Sequence, residues 1–243
     1  MRIVISAATS AIAHQCALVW AAGSNVEFEL IARDKQKLEG FASDIAVRYP
    51  DARVNQHVID FEDARAIGSL AQELAKSPID VVLIAQGSLT DQPRSQADFG
   101  YLKSELSINA ISPMLFAEAF AELLAKQGGG RLAIIGSVAG DRGRASNYAY
   151  GATKAALAAF AAGLQQRFAR SAVSVSIIKP GPTKTPMTSG LNNSRMASAE
   201  SVARVIVASV DARKRVIYAP KQWALIMFIV RLIPFGIFKR LNF

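Results

Sequence analysis

Short runs of apolar residues alternate along this chain with longer, Ala-rich stretches of mixed pattern. Seven runs read as strands: Ile3–Ser6, Glu27–Ile31, Arg53–Ile59, Asp80–Ile84, Leu132–Gly136, Val173–Ile178 and Arg215–Tyr218. The runs VVLIA and LAIIG are continuously apolar, as in strands covered on both faces. The stretches between runs are long enough for crossover helices, the signature of a parallel sheet. Gly128-Gly129-Gly130 reads as a helix stop and a turn into the next strand. No internal repeat, low-complexity segment or interdomain linker is visible. The pattern predicts a single α/β domain, a doubly wound parallel sheet of Rossmann type with about seven strands and helices on both faces. Residues 1–220 form this domain and 221–243 an apolar, basic tail.

Composition narrows the classes. With 243 residues, 51% hydrophobic and 19% charged, the chain can bury a substantial core and is not globally disordered. The single cysteine, Cys16, excludes an internal disulfide and a cysteine metal cluster. His14 and His57 lack metal-ligand spacing and read as surface or packing residues, so no metal is expected. The start, MRIVISAA, runs straight into a strand without the apolar stretch and cleavage site of a signal peptide. A cytoplasmic protein with a reduced thiol is the expectation.

The net charge of +9 is concentrated at one end. No acidic residue follows Asp211, whereas Arg213, Lys214, Arg215, Lys221, Arg231, Lys239 and Arg240 do. No nucleic-acid reading motif accompanies them, so nucleic acid is not an expected partner. Trp223 to Phe238, 16 residues, would span ~24 Å as a helix, short of the about 20 residues a bilayer core needs. Arg231 interrupts the run, and Pro234 kinks or stops it. Two readings stay open: a segment lying in an anionic membrane interface, and a tail packed on the core or across a subunit contact.

Candidate chemistry sits in IIGSVAGDRGRASNYAYGATKAAL. Tyr150 and Lys154, four residues apart, share one face of a helix. A Tyr hydroxyl titrates near pH ~10, and an adjacent ammonium stabilises its phenolate and lowers that value. Ser137, at a strand end, can hold a carbonyl or hydroxyl beside the phenol. These groups suit proton transfer at oxygen coupled to hydride transfer at carbon.

SVAG followed by YGATK, with Tyr150 thirteen residues after Ser137, resembles the short-chain dehydrogenase/reductase family. The resemblance implies Tyr150 as general acid/base, Lys154 as the group that tunes it and binds the nicotinamide ribose, and Ser137 as the residue that orients substrate. Asn109, in SINAISPM, matches the family's helical Asn, which bends its helix and holds a water in the relay to the Lys. The family's TGxxxGxG turn aligns with Ser6, Ala7, Ala11 and Ala13, so all three glycines are Ala. Each adds a Cβ where backbone and phosphate approach, and left-handed backbone becomes costly. The amides of Ser10, Ala11 and Ile12 and the hydroxyls of Thr9 and Ser10 remain as phosphate donors. Ala32-Arg33-Asp34 resembles NADP-preferring members, with Arg33 facing the 2′-phosphate. By the same resemblance Asp60 and Phe61 flank the adenine, and Ala85, Gln86 and Gly87 replace the family's Asn-Ala-Gly. Pro180, Gly181, Thr183 and Thr185 form the nicotinamide loop. Residues from Met187 to about Ala197 read as a mobile substrate loop.

AQGSLTDQ after the fourth strand and a final YAP…W…IVRLIPFGIFKRL look like the decaprenylphosphoryl-2-ketoribose reductase subgroup. The reading is an NADP(H)-preferring oxidoreductase, NAD(H) being the alternative cofactor. It reduces a carbonyl, on this resemblance one carried by a polyprenyl-phosphate-linked keto-sugar, at the inner face of the membrane. Relatives assemble as homodimers or homotetramers through their long fourth and fifth helices. Two alternatives stay open: a soluble reductase of a small ketone, steroid or acyl substrate, and a catalytically impaired nucleotide-sensing or partner-binding protein.

Overall fold

All seven apolar runs become strands of one parallel sheet. The computed structural model describes residues 1–23, 25–190 and 196–241. Its strands are β1 (Arg2–Ser6), β2 (Glu27–Ala32), β3 (Arg53–Val58), β4 (Val81–Ile84), β5 (Gly130–Ile135), β6 (Val173–Pro180), β7 (Thr183–Lys184), β8 (Ala197–Ser198) and β9 (Val216–Ala219). The main sheet runs β3-β2-β1-β4-β5-β6-β9, and β7 pairs with β8 in a small ribbon. Strand β6 extends two residues beyond Ile178 because Lys179 and Pro180 pair with Tyr218 and Ala219. Local pattern does not foretell that pairing, since a Pro normally ends a strand.

The helices are α1 (Ala11–Ala21), α2 (Lys35–Arg48), α3 (Ala64–Leu74), α4 (Gln92–Ala97), α5 (Phe99–Leu106), α6 (Ser112–Lys126), α7 (Tyr148–Arg167), α8 (Ala199–Asp211), α9 (Trp223–Leu232) and α10 (Phe235–Phe238). Many begin where a short polar side chain accepts a first-turn amide: Asp34, Asp63, Asp91, Asp98 and Ser198 all cap this way. Cys16 and Trp20 of α1, Leu38 of α2 and Ile206 of α8 pack on one face of the sheet. Ile67 of α3, Phe116 and Phe120 of α6, and Leu157 of α7 pack on the other. This two-sided burial is why the central strands read as continuous apolar runs.

The glycine run behaves as the pattern predicts. Gly128, Gly129 and Gly130 have φ of +94°, +149° and +146°. Positive φ disfavours a side chain there, and a Cβ on Gly130 would also stand 2.5 Å from Leu124 Cδ2. Helices α5 and α6 are joined by a π-helical turn, Ser107–Ile111, into one helix from Phe99 to Lys126. By length and composition alone that 28-residue helix could cross a membrane, but half of its apolar window is buried in this fold.

Strand order reverses between β1 and β4, whose carboxyl ends meet at Ser6 and Ile84. In open α/β sheets the crevice at this switch point receives ligands.

Candidate active site

A cavity of about 360 Å³ opens at that switch point, within the usual ~300–1,000 Å³ of ligand pockets. Ala7, Thr9, Ser10, Ala11 and Ile12 line it after β1, Arg33 and Asp34 after β2, Phe61 after β3, and Ala85, Gln86 and Gly87 after β4. Thr185 and Met187 close its far side.

The glycine-free turn keeps its shape at a local cost. Ala7 has φ +52°, the left-handed region, which costs an L-residue about 1–2 kcal/mol. Ala11 starts α1, and Ala13 is fully buried in the core. Ser10 is the N-cap of α1 yet makes no side-chain cap bond among the described residues. Its hydroxyl and the first amides of an 11-residue helix are thus free to meet an anion.

At the end of β2, Asp34 is occupied: its carboxylate accepts the Lys37 amide at 3.1 Å and lies 3.4 Å from Lys37 Nζ. These contacts hold its carboxyl below the ordinary value. Arg33 and Lys37 both line the cavity, an exposed pair of cations beside its β2 end. Lys37 carries no motif signal in the sequence; only its place in the first turn of α2 brings it there. Asp60 does not line the cavity, and its Oδ1 accepts the Glu62 amide at 2.9 Å instead. Two buried polar atoms in lining residues, Gln86 Nε2 and Ser112 Oγ, have no hydrogen-bond partner among the described residues. Cations at one end, hydroxyls and helix amides in the middle, and orphaned donors deeper in fit a nicotinamide dinucleotide.

Asn109, Ser137, Tyr150 and Lys154 stand beyond the Gly87 end of this lining. Ser137 follows β5 and caps the 3-10 turn Val138–Asp141, its Oγ accepting the Ala139 amide at 3.1 Å. Tyr150 lies in the first turn of α7, and the Ser137 side chain lies close enough to its hydroxyl to favour the phenolate. Lys154, 2% exposed, has its Nζ 5.6 Å from the Tyr150 ring centre and 3.4 Å from the Gln86 carbonyl, to which it donates. A Cβ on Gly87 would stand 3.1 Å from Lys154 Nζ and 3.2 Å from Asn109 Oδ1, so the bare backbone there lets the two side chains approach.

Asn109 is fully buried inside the π-helical turn. Its Oδ1 accepts the Ser88 amide at 3.0 Å, and its Nδ2 donates to Ser88 Oγ and to Glu105 Oε2. The same Glu105 oxygen also accepts from Ser88 Oγ at 2.8 Å and Thr90 Oγ1 at 2.7 Å. The side chain expected to hold a relay water is thus engaged by protein groups. Glu105 was not visible as a site residue, although an acid one turn before Asn109 in an apolar helix is a usable signal.

The nicotinamide loop differs most from expectation. Pro180, Gly181 and Thr183 do not line the cavity, and Thr183 Oγ1 donates to the Gly181 carbonyl at 2.8 Å. The indole of Trp223 lies against Gly181, where any Cβ would collide with it. Of the expected substrate loop, residues 191–195 lie outside the described residues; Pro186–Thr188 forms a 3-10 turn that brings Met187 to the cavity.

A family model described as short chain dehydrogenase matches residues 1–196 of the sequence. The chain belongs to the short-chain dehydrogenase family. As such it is an NAD(P)-dependent oxidoreductase. An uncharacterized oxidoreductase of Mycobacterium tuberculosis is 31% identical over 245 residues, spanning 98% of this chain and 96% of the relative. The fold is similar to that of a short-chain dehydrogenase from Burkholderia cenocepacia in complex with NADP, with TM-score 0.84 at 18% identity over 100% of this chain and 97% of the other. Levodione reductase is similar in fold too, with TM-score 0.82 at 21% identity over 92% and 97% of the two chains.

In this short-chain dehydrogenase, burial dominates the titration of the central pair. It raises the Tyr150 hydroxyl above its ordinary value, with the Ser137 hydrogen bond pulling the other way. The expected lowering by Lys154 does not govern, because the ammonium is itself desolvated: burial lowers Lys154 to about 8. Between pH 8 and 10.5 the unfolded chain retains a proton that folded Lys154 has lost, so stability rises with pH across that window. At ~1.4 kcal/mol per pH unit the gain reaches about 3 kcal/mol. Thermal unfolding of wild type and Lys154→Met over this range checks it; the expected result is that the wild type's gain is missing from the variant.

Proposed function

We infer that this protein is an NADP(H)-dependent carbonyl reductase in which Tyr150 is the proton donor. One observation carries the reading: Ser137 and Tyr150, with buried Lys154 beside them, stand past Gly87, next to a cavity whose β2 end carries Arg33 and Lys37. The outer cations suit a 2′-phosphate, and the Burkholderia relative in fold holds NADP. Thr9, Ser10 and the first amides of α1 would hold the pyrophosphate. Ala85, Gln86, Gly87 and Phe61 would flank the adenosine half, and Thr185 the nicotinamide half. Bound nicotinamide supplies the hydride to the carbonyl carbon.

The rest of the chemistry belongs to this chain. Ser137 Oγ donates a hydrogen bond to the carbonyl oxygen and fixes it beside the phenol. Tyr150 is held protonated by burial, which suits the direction of reduction, and it passes its proton to that oxygen. Lys154, in its ammonium form, stabilises the phenolate left behind. Asn109, clamped by Glu105 and Ser88, keeps the Gly87–Ser88 backbone in place against Lys154.

The substrate class is a lipid-linked carbonyl, specifically a polyprenyl-phosphate-linked keto-sugar met at the cytoplasmic face of the membrane. Support comes from the tail's resemblance and from an apolar helix beside the catalytic turn, where Arg142 donates to the carbonyls of Val230 and Ile233. The protein assembles as a homodimer or homotetramer through α5–α6 and α7, a reading supported by the exposure of Phe99 (79%) and Ile111 (53%).

Parallel titrations with NADPH and NADH, followed by tryptophan energy transfer, test the cofactor reading. NADPH is expected to bind at least tenfold more tightly, and the Arg33→Ser/Lys37→Ser variant to level the two. Equal affinities in the wild type would refute the preference. Binding of neither would favour a protein that keeps the fold without the chemistry.

A further inference from the structure

The tail is ordered as two helices whose two sides differ sharply. The inner side is fixed to the site. Met227 is buried, Trp223 covers Gly181, and Arg142, which follows the 3-10 turn that Ser137 caps, donates at 2.5 Å to the Val230 carbonyl and at 2.6 Å to that of Ile233. The Arg142 guanidinium also lies 3.7 Å from the Phe238 ring centre. Asp141, next to it, accepts from the Tyr218 hydroxyl at 2.7 Å and pairs with Lys179. The outer side is bare: Leu225 is 66% exposed, Phe228 53%, Ile229 53%, Leu232 65%, Phe235 74% and Ile237 57%. An apolar stripe of this kind marks an interaction surface.

We propose that the outer side of α9 and α10 docks on an anionic lipid bilayer, which sets the mouth of the active site at headgroup level. Three observations select this occupant. Lys221, Arg231, Lys239 and Arg240 are all exposed beside the stripe, and no Asp or Glu side chain follows Asp211. A two-fold contact between copies would therefore set cation against cation, whereas acidic headgroups would neutralise the rim. Helix α9 has ten residues, about 15 Å, so it lies in the interface and does not cross. Its contacts reach the catalytic turn and the Pro-Gly turn, so the docked face and the reacting groups are held as one unit.

The docking itself is independent of the reductase reading; only the placing of substrate at the bilayer rests on it. The test is flotation of the full chain with vesicles of phosphatidylglycerol and phosphatidylcholine, against phosphatidylcholine alone, with NADPH titrated on the same samples. The wild type is expected to float with the anionic vesicles only. Phe228→Ser/Phe235→Ser should lower partitioning at least tenfold. Arg231→Gln/Lys239→Gln/Arg240→Gln should lower it about a hundredfold, since each cation near an acidic surface contributes roughly fivefold. NADPH binding should be unchanged in both variants. Wild type that stays in the dense fraction overturns the proposal, as does loss of a dimer in the apolar variant without any flotation of the wild type. Flotation of a protein that binds no NADPH would support the docking and overturn the reductase reading instead.

Discussion

Replacing Tyr150 by Phe is expected to lower turnover by at least a thousandfold while changing NADPH affinity by no more than a few-fold. The phenol is the proton donor assigned beside Ser137, and proton transfer by a positioned group contributes ~10²–10⁴ in rate. Loss of the hydroxyl also removes its interaction with the Ser137 side chain. The ring remains, so packing in the first turn of α7 and the place of Lys154 beside it are kept. Steady-state rates on a carbonyl substrate, together with fluorescence titration of NADPH, separate the two effects. A variant with wild-type turnover would refute the assignment of Tyr150. The same series run against pH should show reduction fading as pH rises through about 8, where Lys154 loses the charge that stabilises the phenolate.

Gly140→Ala is expected to disable the enzyme by geometry alone, without touching a reacting group. Its Cβ would stand 2.6 Å from the Lys154 carbonyl carbon and 2.7 Å from the Ala155 nitrogen. Both are backbone atoms, so neither can swing aside; the Ser137 turn and helix α7 must move apart. Displacement by ~1 Å costs about 10²-fold in rate, and overpacking of this kind costs about 1–3 kcal/mol in stability. Gly163→Ala, in α7 itself, is the control, since its Cβ would meet nothing within 4 Å beyond its chain neighbours and its own helix backbone. It should leave activity intact and stabilise α7 by about 0.5–1 kcal/mol. Rates and melting temperatures of the pair distinguish close approach from a general intolerance of α7 to change; comparable losses in both would remove the geometric explanation.

The tail shows how one composition supports two readings until contacts are known. Its charge and greasiness were plain, and they left membrane and core as rival partners. The structure packs Met227 and Trp223 on the fold and leaves Leu225 and Phe228 exposed. A helix of ten residues can divide itself this way because successive side chains step around its axis.

Sequence by itself determined the architecture and nominated Ser137, Tyr150 and Lys154 as the reacting trio. Continuous apolar runs require a sheet covered on both faces, and Ser137, Tyr150 and Lys154 announce themselves by type and spacing. Tertiary structure alone decided the rest, because it depends on contacts between residues far apart in the chain. Lys37 joins Arg33 only when α2 is capped by Asp34. Glu105 meets Ser88 and Thr90 across 17 and 15 residues to lock Asn109. Gly181 is covered by an indole far along the chain, which no local pattern encodes. The direction of the Tyr150 shift was likewise beyond the motif: spacing places a cation one turn away, but only burial of both groups makes desolvation outweigh their attraction.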